Sequence, residues 1–367
     1  MSGHPGVKAL RSPLIWSLLC VTAAGSMVFP RSGTKVGEIP VTLPMLAYLL
    51  LLLLWIGRPV RARVTDRLAA VGPVLFAACG LWGLALGLVR GADPADALIE
   101  FGMLVGFLPM LPIVRRFACS RERVHALARM VALSLALVCL YGIAQKVFGH
   151  YRVMVPGLTV SYADAASGEV FEGKSNLTVL GLKVVSTYQN GNLLGSFVVL
   201  SAPLSVALAS VSRGGRRAGY AVASLLAASA LLLTLSRGAI LGGMLGFVAA
   251  VHLLGGSRTP KYIAVAFGMV GAVLVVALGL SERLLAYDPT AANRVPMYFG
   301  LARVYAGLSP GSFAAAVLLG TGFGSAVGSP GVAVSLVESS TINLFVKTGI
   351  IGLASMFVTV FGVFRCA

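Results

Sequence analysis

Residues 218–255 read AGYAVASLLAASALLLTLSRGAILGGMLGFVAAVHLLG, two apolar runs that meet at Ser236-Arg237-Gly238. Each run is long enough to cross a hydrocarbon core as a helix, which takes roughly 17–25 residues. Arg237 is the sole charged residue in the stretch. A guanidinium is costly beside hydrocarbon, so one held at the rim between two spans is a functional-site candidate by default. Two readings of it stand at this point. Arg237 is an anchor that snorkels from a helix end to the headgroups. Or it is a clamp, because its planar and permanently charged fork binds phosphate oxygens in pairs. Gly238, directly after it, allows a ligand or a second helix to come close.

The same apolar character runs through the chain. Hydrophobic residues make up 57% of the 367 and charged residues 11%, a balance that excludes a soluble domain and implies a polytopic membrane protein. Ten segments are apolar and long enough to span: 13–30, 41–57, 68–89, 98–114, 130–148, 191–211, 218–235, 239–255, 262–281 and 342–364. Backbone groups in lipid must pair within the segment, so each is expected to be a helix, giving an all-α bundle that is one integral membrane domain over 1–367.

Charge sets the orientation. With the N-terminus inside, 17 of the 29 basic residues fall in short inside segments against two acids, Asp66 and Glu122. The other side holds 12 basic residues and 10 acids. That asymmetry is the positive-inside pattern, and it places both termini in the cytoplasm. It also accounts for the net charge of +17 without a nucleic-acid partner, and sets the arginine clusters against anionic headgroups. None of the five cysteines (Cys20, Cys79, Cys119, Cys139, Cys366) falls in an outward loop, so no disulfide framework is expected. No Cys/His spacing suggests a metal site. The first span follows Lys8 and Arg11 without a small-residue cleavage pattern and reads as a retained signal anchor.

Two outward loops, 149–190 and 282–341, far exceed ordinary connections, and loops of that length are usually functional or contain hidden helices. Within the second, Val295, Phe299, Ala302 and Ala306 recur at helical spacing, as in a helix lying on the membrane surface. Gly168-Glu-Val-Phe-Glu-Gly173-Lys174-Ser175 fits the phosphate-loop pattern, but it follows a polar stretch and faces outward, so it is read as coincidental. Asn176-Leu-Thr178 fits a glycosylation acceptor and carries little weight without a eukaryotic secretory route. Gly320-Thr-Gly322-Phe-Gly324 is read as a tight turn, and Glu100 with Lys347 as a potential polar pair inside the bundle. Glu338, before Ser339-Ser340-Thr341, is either a helix-start acid that favours the dipole or a general base. Arg294 and Arg303 lie nearby in the second loop, Arg303 fitting an exposed helix surface.

Together these pieces resemble the O-antigen ligase and polymerase family of bacterial envelope glycosyltransferases, over roughly 130–364. Tyr141-Gly-Ile-Ala-Gln145 resembles the aromatic-Gly-x-x-Gln end of a middle helix. Tyr188-Gln-Asn190-Gly-Asn192-Leu-Leu-Gly195 resembles the Asn-Pro-Asn-x-x-Gly entry to the next, with Gly191 in place of proline. Leu235-Ser236-Arg237-Gly238-Ala resembles the Ser-Arg-Gly-Ala run, and Asn293-Arg294 through Gly324 resembles the arginine-to-glycine stretch of the large periplasmic loop. Ligases of the family tend to carry His-Asn eleven residues before a Gly-x-x-Gly; here that count from Gly349-Ile-Ile-Gly352 reaches Glu338, which favours a polymerase. Family members often have further spans, and this departure raises the question of a truncated chain.

The resemblance implies a GT-C-like bundle in the bacterial inner membrane and a donor glycan on undecaprenyl diphosphate, presented in the periplasm. It implies no metal or cofactor, and leaves room for a chain-length regulator as partner. On it, Arg237 and Arg294 neutralise the leaving diphosphate, Glu338 deprotonates the acceptor hydroxyl, and Ser236, Asn190, Asn192, Gln145 and Arg303 support them. The alternatives are a ligase that transfers glycan to lipid A-core and a transporter or flippase of lipid-linked sugars. No half-to-half repeat is visible, and the charged candidates gather at the outer face, which favours surface chemistry over alternating access.

Overall fold

The computed structural model describes residues 6–36, 39–56, 67–117, 120–166, 168, 170–171, 176–178, 181–188, 190–254, 299–324, 327–329, 332–334 and 340–366. The chain is mostly helical and divides into two compact units, Met1–Gly57 with Phe117–Asp288 and Arg58–Arg116 with Pro289–Ala367.

The first unit holds α1 (Gly6–Val28), a β1–β2 hairpin (Thr34–Val36, Ile39–Val41), α2 (Leu43–Trp55) and α6 (Arg121–Phe148). It continues with α7 (Tyr162–Ala166), a β3–β4 hairpin (Leu177–Thr178, Gly181–Leu182), α8 (Gly191–Val211), α9 (Gly214–Leu233) and α10 (Arg237–Leu254). The second holds α3 (Arg67–Val89), α4 (Pro94–Val105), α5 (Met110–Phe117), whose last residue belongs to the first unit, and α11 (299–306). After these come α12 (Pro310–Leu319), a β5–β6 hairpin (Val327–Ser329, Val332–Val334) and α13 (Ser340–Cys366).

Among the described residues, six stretches are long and apolar enough to cross a membrane: Ala70–Val89, Pro94–Phe117, Arg121–Phe148, Gly191–Val211, Gly214–Leu233 and Asn343–Gly362. They match six of the ten expected spans, so this is a multi-pass membrane protein. The expected spans 13–30 and 41–57 form the shorter apolar helices Pro13–Val28 and Leu43–Trp55, and 239–255 forms α10. The expected span 262–281 lies outside the described residues.

Helix starts follow local chemistry. The side chains of Thr42, Asp93, Ser120, Asn190 and Ser309 each accept an amide hydrogen from the first turn that follows. In the first unit Leu135, Val138 and Cys139 of α6 pack with Leu194 and Val198 of α8, Ala227 and Leu231 of α9, and Ile240 of α10. The hydroxyls of Ser205 and Ser224 bond at 2.8 Å between α8 and α9, a polar tie of the kind that membrane bundles use. In the second unit Phe76 of α3 packs with Val105 of α4, Leu108 and Leu344 of α13. The outward faces are apolar too: Leu200 is 81% exposed and Leu245 73%, as helices bathed in hydrocarbon require.

Candidate functional site

One end of the first unit is covered by the loop 149–190, and here called the loop end. The Tyr141-Gly-x-x-Gln145 run of α6 holds that loop by three separate means. The Tyr141 hydroxyl donates to the carbonyl of Val153 at 2.8 Å. Gly142 lets the chain at Val184 lie on the helix, since a Cβ there would stand 2.8 Å from Val184 Cγ1. Gln145, fully buried, donates to the carbonyl of Ser186 at 3.0 Å and accepts from its amide at 2.8 Å. Ser186 has φ of 53°, a conformation that costs an L-residue about 1–2 kcal/mol, and its hydroxyl donates to the carbonyl of Val138 at 2.7 Å. Gln145, expected as a supporting site residue, thus acts here as a brace on the loop.

The next two sequence runs meet each other. Asn190 caps α8 through Leu193 at 2.9 Å. Gly191 and Gly195 let α8 press on the segment that joins α9 to α10. A Cβ at Gly191 would stand 2.9 Å from the carbonyl of Thr234, and one at Gly195 would collide with Ala239. The α9–α10 connection is only Thr234, Leu235 and Ser236. Leu235 has φ of 51°, and the buried Thr234 hydroxyl donates to Leu231 at 2.6 Å while accepting from the Ser236 amide at 3.3 Å. Ser236 then caps α10 through its carbonyl, which accepts from Ile240 at 2.8 Å.

Arg237 is the first residue of α10 and is half-buried. The positive ends of two helices, α8 and α10, therefore lie side by side at the loop end, with a guanidinium on one of them. A cation in a first turn opposes the helix dipole, at a cost of about 0.3–1 kcal/mol, so the position suits an anion that both would attract. Gly238 is exposed and, among the described residues, nothing lies within 4 Å of where its Cβ would stand. Packing among the described residues does not account for that glycine. Asn192, in the first turn of α8, is half-buried.

Three residues here were not singled out from the sequence, and a fourth, Asn176, was noted there only as a glycosylation acceptor. Lys183 is buried, and its side chain runs beside Gly191. Asn176, also buried, accepts the amide hydrogen of Gly191 on its side-chain oxygen at 3.3 Å and that of Lys183 on its carbonyl at 2.8 Å. His150 bonds the carbonyl of Lys183 through Nε2 at 3.2 Å and packs on Phe171. Burial pushes its pKa below the usual imidazole value, opposed by that carbonyl and helped by Lys146. Thr187 is buried with a hydroxyl that bonds nothing among the described residues. None of the four sits in a periodic pattern, and His150 is far from Asn190 in sequence, so no single run ties them together.

Two pattern matches of the sequence also fall here. Gly168 follows the helix α7 and not a strand, and Phe171 is buried among His150, Tyr151 and Val160. Residues 172–175 of that run lie outside the described residues. The Asn176 amide is buried and bonded, so it is no acceptor for a glycan in the folded chain.

The second unit contains a different polar centre. Lys347, 2% exposed, pairs with Glu100 at 3.1 Å. Glu100 also accepts the amide hydrogen of Gly324 at 2.8 Å. The expected internal pair therefore forms, and it grips the glycine run. Thr321 and Gly322 donate from their amides to the carbonyls of Val346 and Lys347, Phe323 donates to Gly83, and Arg90 donates to the carbonyl of Thr321. Gly322 has φ of 93° and would collide with Gly87 if it carried a Cβ. The run is more than a tight turn, because it packs against α3 and α13 along its length. Arg303 is exposed on α11, whose buried residue is Tyr305, stacked on Phe345. Of the expected stripe, Phe299 is 64% exposed, Ala302 and Ala306 are exposed too, and Val295 lies outside the described residues. Arg294 and Glu338 lie outside the described residues.

The chain matches no protein-family model, no curated protein and no solved structure.

Proposed function

We propose that the chain is a bacterial inner-membrane glycosyltransferase that polymerises oligosaccharide repeat units carried on a polyprenyl diphosphate. One observation carries the reading: Arg237 opens α10 beside the start of α8, so a guanidinium and two helix dipoles favour an anion at the loop end. The charge pattern of the sequence assigns that end to the periplasm. A lipid diphosphate is an anion that arrives at this depth, at the rim of the hydrocarbon.

In the proposed reaction a hydroxyl of the acceptor sugar attacks the anomeric carbon of the donor. The new C–O bond forms as the bond from that carbon to the phosphate oxygen breaks. The hydroxyl proton passes to the Glu338 carboxylate, and the lipid diphosphate leaves with the electron pair. Arg237 and Arg294 stabilise the charge that grows on the leaving group.

A second reading has its own support. Helix α13 is interrupted at Gly349 (φ 70°, ψ −173°), two residues from the buried Lys347–Glu100 pair, and broken helices beside charged groups are common in transporters. One experiment separates the two. Purified protein in liposomes is given lipid-linked repeat units on the loop-end side alone. Formation of glycosidic bonds, lost in Glu338→Gln, supports the enzyme. Translocation without bond formation supports the transporter. Bond formation that needs added lipid A-core makes the enzyme a ligase.

A further inference from the structure

The opposite end of the first unit, where the arginines gather, contains a cavity of about 750 Å³. Arg121, His125 and Arg129 line it from α6, and Arg213, Arg216 and Tyr220 from the start of α9. The first three are spaced by four residues, so they share one helical face. None of the lining residues is an acid. Among the described residues, none of the four guanidiniums has a hydrogen-bond or ion-pair partner.

A second feature points the same way. Arg213 is the cap residue of α9, but its side chain makes no capping hydrogen bond. The first amide groups of α9 are thus unserved by a cap, and they belong to residues that line the cavity, Gly215 and Arg216. Arginines crowd the positive ends of both helices, Arg121 on α6 and Arg216 on α9. All four arginines are exposed, so solvent screens their repulsion, and an anion among them gains from the charges and from the dipole at the start of α9. Membrane orientation needs basic residues on this side, but it does not need them to converge on a cavity.

We propose that this cavity holds the phosphate of an anionic phospholipid headgroup. Guanidinium groups match phosphate oxygens in pairs, and unserved amides at a helix start complement the same charge. An apolar flank completes the fit. Leu208 and Val211, at the end of the membrane-spanning α8, line the same cavity, and Val211 is 68% exposed. A lipid places its chains there and its phosphate among the arginines. A free phosphate ion uses only the second half of the site. This is a different place in the molecule from the loop end, and it does not depend on the proposed activity.

The test is lipid retention by the full chain in detergent, read by native mass spectrometry, with phosphatidylglycerol, phosphatidylcholine or inorganic phosphate added. Phosphatidylglycerol is expected to bind in preference to phosphatidylcholine and to weaken as salt rises. In the triple variant Arg129→Gln, Arg213→Gln, Arg216→Gln, its affinity is expected to fall by about 100-fold, at about tenfold or less for each charge near the surface. A second triple variant, Arg115→Gln, Arg116→Gln, Arg217→Gln, removes as many charges from the same side but none from the cavity, and is expected to bind as the native chain does. If the Gln variants fail to insert, Arg129→Lys, Arg213→Lys, Arg216→Lys keeps the charges and is expected to weaken binding through loss of the paired geometry. Equal losses in the two Gln triples overturn the proposal. So does inorganic phosphate that binds as tightly as phosphatidylglycerol, because the site is then one for a free anion.

Discussion

Arg237 and Lys347 are both cations set in the early turns of apolar helices, and they are held in opposite ways. Lys347 is 2% exposed, carries Glu100 against its ammonium, and lends its carbonyl to the glycine run. Its surroundings are complete within the protein. Arg237 stands half-buried at the first residue of α10, against the helix dipole, followed by a glycine that packing among the described residues does not need. The first arrangement is what holds a fold together. The second sets a cation at the positive end of a helix, on the rim of a span, where an anion from outside the protein is favoured.

The comparison breaks most easily at the ion pair. Lys347→Met leaves the Glu100 carboxylate without its counter-charge, and loss of one partner of a buried pair costs about 3–5 kcal/mol. Thermal unfolding in detergent should fall accordingly, and the double variant Glu100→Gln, Lys347→Met should recover most of it. A single variant as stable as the native chain would show that the pair does not hold the glycine run.

Arg237→Ala should behave in the contrary way. Bond formation is expected to drop by about 10²–10³, the usual cost of removing one stabiliser of transition-state charge. Stability should change by no more than about 1 kcal/mol, because the cation that leaves stands against the dipole of a helix start. Activity assays and unfolding on the same preparation measure both. A variant that loses stability in step with activity would make Arg237 a brace like Lys347.

That contrast was only half legible in the sequence. Hydropathy and the positive charges were enough for a helical, multi-pass chain, since a membrane helix is dictated by backbone satisfaction and little else. Glu100 and Lys347 could be named as a pair because charges inside apolar runs are few. Their grip on Gly320–Gly324 could not be, because it runs through backbone groups that no side-chain pattern records, and on the Glu100 side it joins residues more than two hundred positions apart. The same blindness hid Lys183, His150 and the bonding role of Asn176, whose partners are carbonyls and amides. Gln145 was visible as a polar residue near a helix end and expected to support the site; its burial and its two bonds to Ser186 give it the work of a brace.

Gln145 therefore belongs with Lys347 on the structural side, and this can be tested at lower cost. Gln145→Ala leaves both the amide and the carbonyl of Ser186 without their buried partner, which costs about 1–3 kcal/mol. Proteolysis of the loop 149–190 should quicken before the helices melt. Gln145→Glu keeps the acceptor and loses the donor, and should fall between. If Gln145→Ala leaves the loop protected but stops catalysis, the residue returns to the side of Arg237.

The smallest effect on the fold is expected at Gly238, and it is the most informative about ligand approach. Gly238 lies in the first turn of α10, its φ is not in the left-handed region, and its surroundings are open among the described residues. Alanine there should stabilise the helix by up to about 1 kcal/mol, since glycine is the poorer helix former. On packing grounds Gly238→Leu should be tolerated as well. If the glycine serves the approach of a diphosphate to Arg237, activity should fall modestly with alanine and steeply with leucine while unfolding stays unchanged or improves. Leucine without loss of activity would leave Arg237 as an anchor in the headgroups, and would remove the main physical reason for placing chemistry at the loop end.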